Sequence, residues 1–175
     1  MIKAGIIGAT GYAGAELARL LLQRDDVELV WYGSRSYVGE DFASIYRNVA
    51  HAVSEPCKDD DMAKLAEMAD VIFTATPQGF CASQVTEDIL SKTKIIDLSA
   101  DFRIKDVDVY EKWYKIKHAT PQFIGEAVYG LPEINREKIK HARLIANPGC
   151  YPTCSFLSTY PLVKEGIIDP NTIII

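Results

Sequence analysis

The apolar residues fall into short runs separated by amphipathic stretches, the rhythm of a β-α-β chain. Ile2 to Gly8 reads as a strand apolar enough to be buried on both faces of a parallel sheet. In the stretch that follows, Ala13, Leu17, Leu20 and Leu21 fall on one helical face. Val27–Tyr32 reads as the second strand. From Tyr37 to Lys58 the pattern is poor, with a short helix expected over Asp41–Tyr46 and a short strand over Ala50–Cys57. The run Asp59-Asp60-Asp61 is read as helix-start charge favoured by the dipole, ahead of Met62–Met68, and not as a metal site. Asp70–Ala75 and Lys94–Ser99 give two further strands. Between them one helix is predicted from Phe80 to Ser91, with Val85, Ile89 and Leu90 facing inward.

The rhythm breaks over Val107–Gly130, a stretch rich in aromatic residues (Tyr110, Trp113, Tyr114, Phe123, Tyr129) with a helix expected over Val109–Lys115. It is read as an excursion that covers the first domain or opens a substrate lobe. Leu131-Pro132-Glu133 opens a helix to about His141, and Arg143–Ala146 is the next strand. Thr153–Glu165 predicts a helix that Pro161 should kink and Gly166 should end. Thr172–Ile175 reads as the start of a new apolar strand, so the sequence is expected to be part of a longer chain. The expected fold class is α/β, a Rossmann-type doubly wound and mostly parallel sheet with helices on both faces. Residues 1–149 are expected to form the domain that carries this sheet, and 150–175 the helix headed by Cys150 and the start of a further domain.

Candidate chemistry gathers in loops after strands, where α/β proteins place their ligands. Gly8-Ala9-Thr10-Gly11-Tyr12-Ala13-Gly14 spaces its glycines G-x-x-G-x-x-G between a strand and a helix. That context suits a tight turn, close backbone approach to a pyrophosphate, and close helix–strand packing. Gly8, Thr10, Gly11, Tyr12, Ala13 and Gly14 are therefore candidate cofactor contacts. Where an NAD site usually carries an acidic residue after the second strand, this chain has Ser34-Arg35-Ser36. A hydroxyl and a guanidinium fork suit a 2′-phosphate, which favours NADP. The loop with Thr76 and Pro77 is either a cofactor contact or a plain turn. Asp101 and Arg103 either orient a substrate or pair with each other. Cys150, after Asn147-Pro148-Gly149, stands where a helix should begin, and there the unpaired amides and the dipole favour a thiolate. A buried structural cysteine is the alternative.

Composition narrows the function classes. A content of 48% hydrophobic and 25% charged residues in 175 is that of an ordinary globular domain. The net charge of −5, with no basic stripe, argues against nucleic-acid binding. No basic-then-apolar leader is seen, and no apolar run approaches the roughly 18 residues needed to span a membrane. Cys57, Cys81, Cys150 and Cys154 show no C-x-x-C pair and no histidine at metal-ligand spacing, so free thiols in a reducing cytoplasm are expected.

Five blocks resemble, in order, the N-acetyl-gamma-glutamyl-phosphate reductase branch of the semialdehyde dehydrogenase family. They are GATGYAGAEL at 8–17, SRS at 34–36, DLSADFR at 97–103, YGLPE at 129–133 and NPGCYPT at 147–153. The resemblance implies a cytoplasmic reductase of arginine biosynthesis, using NADPH on an acyl-phosphate substrate and homo-oligomeric when full length. Cys150 would attack the acyl phosphate and form a thioester, with Arg103 and Asn147 as candidate substrate contacts and Glu133 a further guess from position. The family's acid/base histidine belongs to a later half; His51, His118 and His141 match no such block, so residues 1–175 alone are expected to bind cofactor with little turnover. A related reductase acting on an aminoadipate or aspartate acyl phosphate, a non-catalytic NAD(P)-binding sensor, and a cysteine hydrolase are the competing readings.

Overall fold

The computed structural model describes residues 1–175. Its strands are β1 (Ile2–Ile7), β2 (Val27–Tyr32), β3 (Val71–Thr74), β4 (Lys94–Asp97), β5 (Val128–Tyr129) and β6 (Leu144–Ala146). They form one sheet in the order β2-β1-β3-β4-β6-β5, with every neighbouring pair parallel. The chain steps outward from β1 to β2, then crosses back to β3 on the other side of β1. Strand order therefore reverses between β1 and β3, where a doubly wound sheet opens its ligand crevice. The expected Rossmann-type architecture is present.

The helices are α1 (Tyr12–Leu21), α2 (Phe42–Ile45), α3 (Met62–Ala66), α4 (Phe80–Gln84), α5 (Glu87–Lys92), α6 (Val107–Tyr114), α7 (Pro132–His141) and α8 (Cys150–Lys164). Adjacent strand residues fall into different apolar clusters, which shows burial on both faces. Ile7, Trp31 and Ile72 join the larger cluster with α3, α4 and α5, while Ile6 and Tyr32 join a smaller one with Ala18 of α1.

Several expectations are corrected. The inner face of α1 is centred on Gly14 and Ala18; Leu17 and Leu21 pack against the core as expected, while Ala13 is exposed and Leu20 is 48% exposed. The small residues let the helix sit closer to the end of β1 than a leucine face would. The single helix over Phe80–Ser91 is two, because Val85 is extended and Thr86 caps α5 by accepting from the Ile89 amide at 3.2 Å. Val85, Ile89 and Leu90 are nevertheless buried as expected.

No strand forms over Ala50–Cys57. That segment makes only isolated bridges (Asp41 with Pro56, and Gly33 with Lys58 just beyond it), and Pro56 has no amide to extend a ladder. α6 starts earlier than expected because Asp106 accepts from the Val109 amide at 3.1 Å. α8 begins at Cys150 itself, not Thr153, since Gly149 is the extended cap and Pro152 fits the first turn. Residues 172–175 form no strand; Asp169 caps a 3-10 turn over Pro170–Thr172, and no strand of the sheet follows β6.

Two fully buried carboxylates organise the loop after β4. Asp97 accepts from Thr74 Oγ1 (2.7 Å), the Ser99 amide (3.0 Å) and Ser99 Oγ (2.7 Å). Burial pushes its carboxyl above the usual range, and those donors pull against the shift. Asp101 accepts from the Gly79 amide (2.7 Å), the Ala82 amide (3.0 Å) and Tyr110 OH (3.0 Å). It caps α4 and ties α6 to it, so its carboxylate is taken up by structural contacts. His118 sits beside it, its Nε2 2.7 Å from the Asp101 carbonyl, and so is no free base. Asp101→Ala strands three donors, two of them buried, and should lower unfolding free energy by about 3 kcal/mol or more in urea titrations, against about 1 kcal/mol for Tyr110→Phe.

Candidate functional site: a cleft at the carboxyl ends of β1 to β3

The loops after β1, β2 and β3 line one cleft of about 230 Å³, bounded by Gly8, Thr10, Gly11, Ser34, Arg35, Ser36, Asp60, Ala75, Thr76 and Pro77. Six of the expected cofactor residues and both members of the Thr76–Pro77 loop are thus brought together at the switch point.

Two glycines are required by close backbone approach. Gly8 has φ +77°, and a Cβ there would collide with the Ala75 carbonyl oxygen. A Cβ on Gly14 would collide with the Gly8 carbonyl oxygen and lie 2.8 Å from the Ala9 Cα. Gly11 differs, since a Cβ there would meet the Gly8 carbonyl at an ordinary 3.5 Å. The amide end of α1 therefore abuts the end of β1 with no side chain between, leaving a cradle for an anion. Tyr12 (95% exposed) and Ala13 head α1 outside the lining of the cleft.

The other walls are held by polar contacts. Ser34 is buried, and its Oγ lies 2.8 Å from Thr10 Oγ1 and accepts from the Tyr37 amide at 3.2 Å. Tyr46 OH donates to the Thr10 carbonyl at 2.9 Å. The Arg35 guanidinium is 4.8 Å from the Phe80 ring centroid, and its Nε is 3.3 Å from Asp60 Oδ2. Asp60 Oδ1 accepts from the Gly8 amide at 3.3 Å. Burial raises the Asp60 carboxyl, and the Gly8 amide and Arg35 partly offset this. Thr76 Oγ1 is the one buried side-chain oxygen or nitrogen without a hydrogen-bond partner. An unpartnered hydroxyl in a cradle of open backbone fits a ligand rich in hydrogen-bonding oxygens, as a dinucleotide is.

Sequence reasoning missed Tyr46 and Asp60. Asp61 is the actual cap of α3, accepting from the Lys64 amide at 3.0 Å, while its neighbour Asp60 turns into the cleft. Nothing local separates the two; the parallel bridge of Lys58 with Gly33 delivers Asp60 there.

Cys150 lies on the same sheet edge, exposed, as the first residue of α8. Arg103 grips the turn before it, donating from Nε to the Asn147 carbonyl (2.7 Å) and from Nη2 to the Leu98 carbonyl (2.8 Å). A Cβ on Gly149 would lie 3.1 Å from Arg103 Nη1. Arg103 does not pair with Asp101, the second of the two expected alternatives. Asn147 continues the ladder through its amide, donating to the Asp97 carbonyl at 2.8 Å, and its side chain makes only a 3.4 Å contact to the Pro148 carbonyl. Glu133 is exposed in the first turn of α7. His51 and His141 are exposed, His141 at the end of α7 that precedes β6, on the far edge of the sheet. No helix is long and apolar enough to cross a membrane.

Residues 3–142 match the family model described as semialdehyde dehydrogenase, NAD binding domain. The chain is 66% identical over 175 residues to the N-acetyl-gamma-glutamyl-phosphate reductase of Lachnoclostridium phytofermentans, and 49% identical to that of Moorella thermoacetica. It aligns over its whole length and spans about half (51%) of each of those relatives. Among solved structures it is similar to aspartate semialdehyde dehydrogenase with NADP from Candida albicans (TM-score 0.63, 15% identity), over 94% of this chain and 47% of that one. A second, aspartate semialdehyde dehydrogenase II from Vibrio cholerae, gives a TM-score of 0.64 at 16% identity, over 94% and 43% of the two chains. At such identities the likeness is one of fold.

Gly14→Ala forces the α1 amide end off the Gly8 carbonyl. It should cost about 1–3 kcal/mol in thermal or urea unfolding and weaken binding of NAD and NADP alike, as read by nucleotide titration.

Proposed function

This chain belongs to the semialdehyde dehydrogenase family, and on that premise we propose that it is the cofactor-binding part of an NADPH-dependent N-acetyl-gamma-glutamyl-phosphate reductase. The observation that carries the reading is the meeting, on one sheet edge, of a glycine cradle with an exposed cysteine that heads a helix. The 66% identity to a reductase of that name supports the choice of substrate.

In this reading Gly8, Thr10, Gly11, Gly14, Thr76 and Pro77 hold the cofactor's phosphates together with the backbone amides of Tyr12 and Ala13 at the start of α1, and Ser34, Arg35 and Ser36 read the 2′-phosphate of NADP. Arg35 supports NADP over NAD because a guanidinium stands on the rim where NAD sites usually place a carboxylate. Bound there, the cofactor supplies the hydride that converts a thioester into an aldehyde.

The chain's own part is nucleophilic. The Cys150 thiolate attacks the acyl carbon of N-acetyl-glutamyl 5-phosphate, the C–O bond to phosphate breaks, and inorganic phosphate leaves with its electron pair. Once the carbon is reduced, the C–S bond breaks and Cys150 regains its thiolate as N-acetyl-glutamate 5-semialdehyde departs. Arg103 and Asn147 are the substrate contacts of this reading. The free Nη1 of Arg103 beside Gly149 and the nearly unpartnered Asn147 amide support that role. Each suits an oxyanion or phosphate oxygen.

Residues 1–149 form the cofactor domain. Residues 150–175 form the cysteine helix and the start of a further domain, supported by α8 having no buried residue. The family's acid/base histidine is assigned to none of the three histidines here, so residues 1–175 alone bind NADPH and turn over little. The enzyme acts in the cytoplasm as a homo-oligomer.

Cys150→Ser in the full-length reductase should abolish acyl-phosphate reduction while NADPH affinity holds; near-wild-type rates would exclude nucleophilic catalysis by Cys150. Arg35→Ala should weaken NADPH binding about tenfold or more and leave NADH within about twofold, measured by fluorescence titration of residues 1–175. Equal losses would remove the NADP preference.

A further inference from the structure

One group in the cleft has no place in the reading so far. Asp60 comes from neither the glycine loop nor the end of β2; the Lys58–Gly33 bridge brings it in from the segment ahead of α3. Its side chain is only 10% exposed, yet it lines the cleft. One carboxylate oxygen takes the Gly8 amide at 3.3 Å, and the other lies 3.3 Å from Arg35 Nε.

The consequence for Arg35 is specific. Its side chain is 62% exposed, and a free arginine there would sample many rotamers. Asp60 holds it at Nε and Phe80 lies under its face, 4.8 Å away. Neither contact uses the terminal nitrogens, which make no hydrogen bond within the chain. Those two nitrogens are the fork that engages phosphate in a bidentate manner. The same carboxylate touches the glycine loop, so the cradle and the arginine share one anchor.

We propose that Asp60 is a positioning residue that sets the NADP preference of the cleft by holding Arg35 with its two terminal nitrogens free for the 2′-phosphate. A carboxylate in that place has an opposite possible effect, repulsion of the phosphate. The pairing through Nε favours the positioning role, because the charge is already engaged by Arg35 and the Gly8 amide. The proposal rests on the reading of Arg35 as the 2′-phosphate contact.

The test is parallel titration of the chain with NADPH and NADH, for wild type, Asp60→Asn, Arg35→Ala and the double variant. The wild-type ratio of dissociation constants reports on the NADP reading alone: NADH binding as tight as NADPH ends that reading and this one with it. Where wild type prefers NADPH, Asp60→Asn should weaken NADPH about fivefold and leave NADH within about twofold, the size expected of a single exposed charge pair. In the Arg35→Ala background the same substitution should no longer move the ratio. Equal loss of both nucleotides would make Asp60 a mere support of the Gly8 loop, and tighter NADPH binding would make it a repulsive group; either overturns the proposal, as does a ratio still shifted without Arg35. Asn retains an oxygen for the Gly8 amide, and Asp60→Ser, with a smaller acceptor, replaces it should Asn unfold the chain; unchanged NADH affinity certifies the fold in both.

Discussion

The whole site hangs on a backbone-to-backbone contact at the point where strand order reverses. The start of α1 lies against the Gly8 carbonyl, and Gly8 in turn lies against the Ala75 carbonyl after β3. No side chain fits in either gap. Three polar backbones packed this closely are tolerable only where their free amides find partners, and here the Gly8 amide takes a carboxylate from outside the motif. The open amides at the start of α1 are the anion-binding element of the proposed cofactor site. The same closeness centres the inner face of α1 on Gly14 and Ala18, with Leu17 and Leu21 packed beside them.

Buried charge does the corresponding work on the other half of the edge. Asp97 and Asp101 have no cationic partner and are held by hydroxyls and backbone amides. Such groups cost a large desolvation unless every lone pair is used, so they fix the loops that supply the donors. Asp101 fixes the start of α4, and through it the Thr76–Gly79 loop on the cofactor side. Arg103, two residues on, fixes the turn ahead of Cys150. A single short loop after β4 thus sets the relation between the cofactor wall and the cysteine.

The sheet was legible because parallel strands buried on both faces show as continuous apolar runs, and β1, β2, β3, β4 and β6 all did. The cleft was legible because its key residues are local: glycines at fixed spacing, Ser34-Arg35 after a strand, and Cys150 at a turn. Most of what escaped depends on contacts distant in sequence. Nothing in Asp59-Asp60-Asp61 says which carboxylate caps α3 and which enters the cleft. Likewise, Asp101 and Arg103 stand two residues apart with opposite charge, yet they do not pair; each is claimed by backbone partners from other loops. The break at Val85 was missed because Thr86, a polar residue in an otherwise helical pattern, competes as a cap.

Cys150 owes its position to its neighbours, not to its own helix. α8 has no buried residue, so packing along its length cannot fix where its first turn sits. The turn is fixed instead from below, by the Asn147 amide continuing the β4–β6 ladder and by Arg103 bridging the Leu98 and Asn147 carbonyls. Both contacts reach the strand ends that carry the buried carboxylates. The thiol and the cleft are therefore referenced to one rigid sheet edge, which is what the proposed reaction requires of a nucleophile and a hydride donor held by different loops.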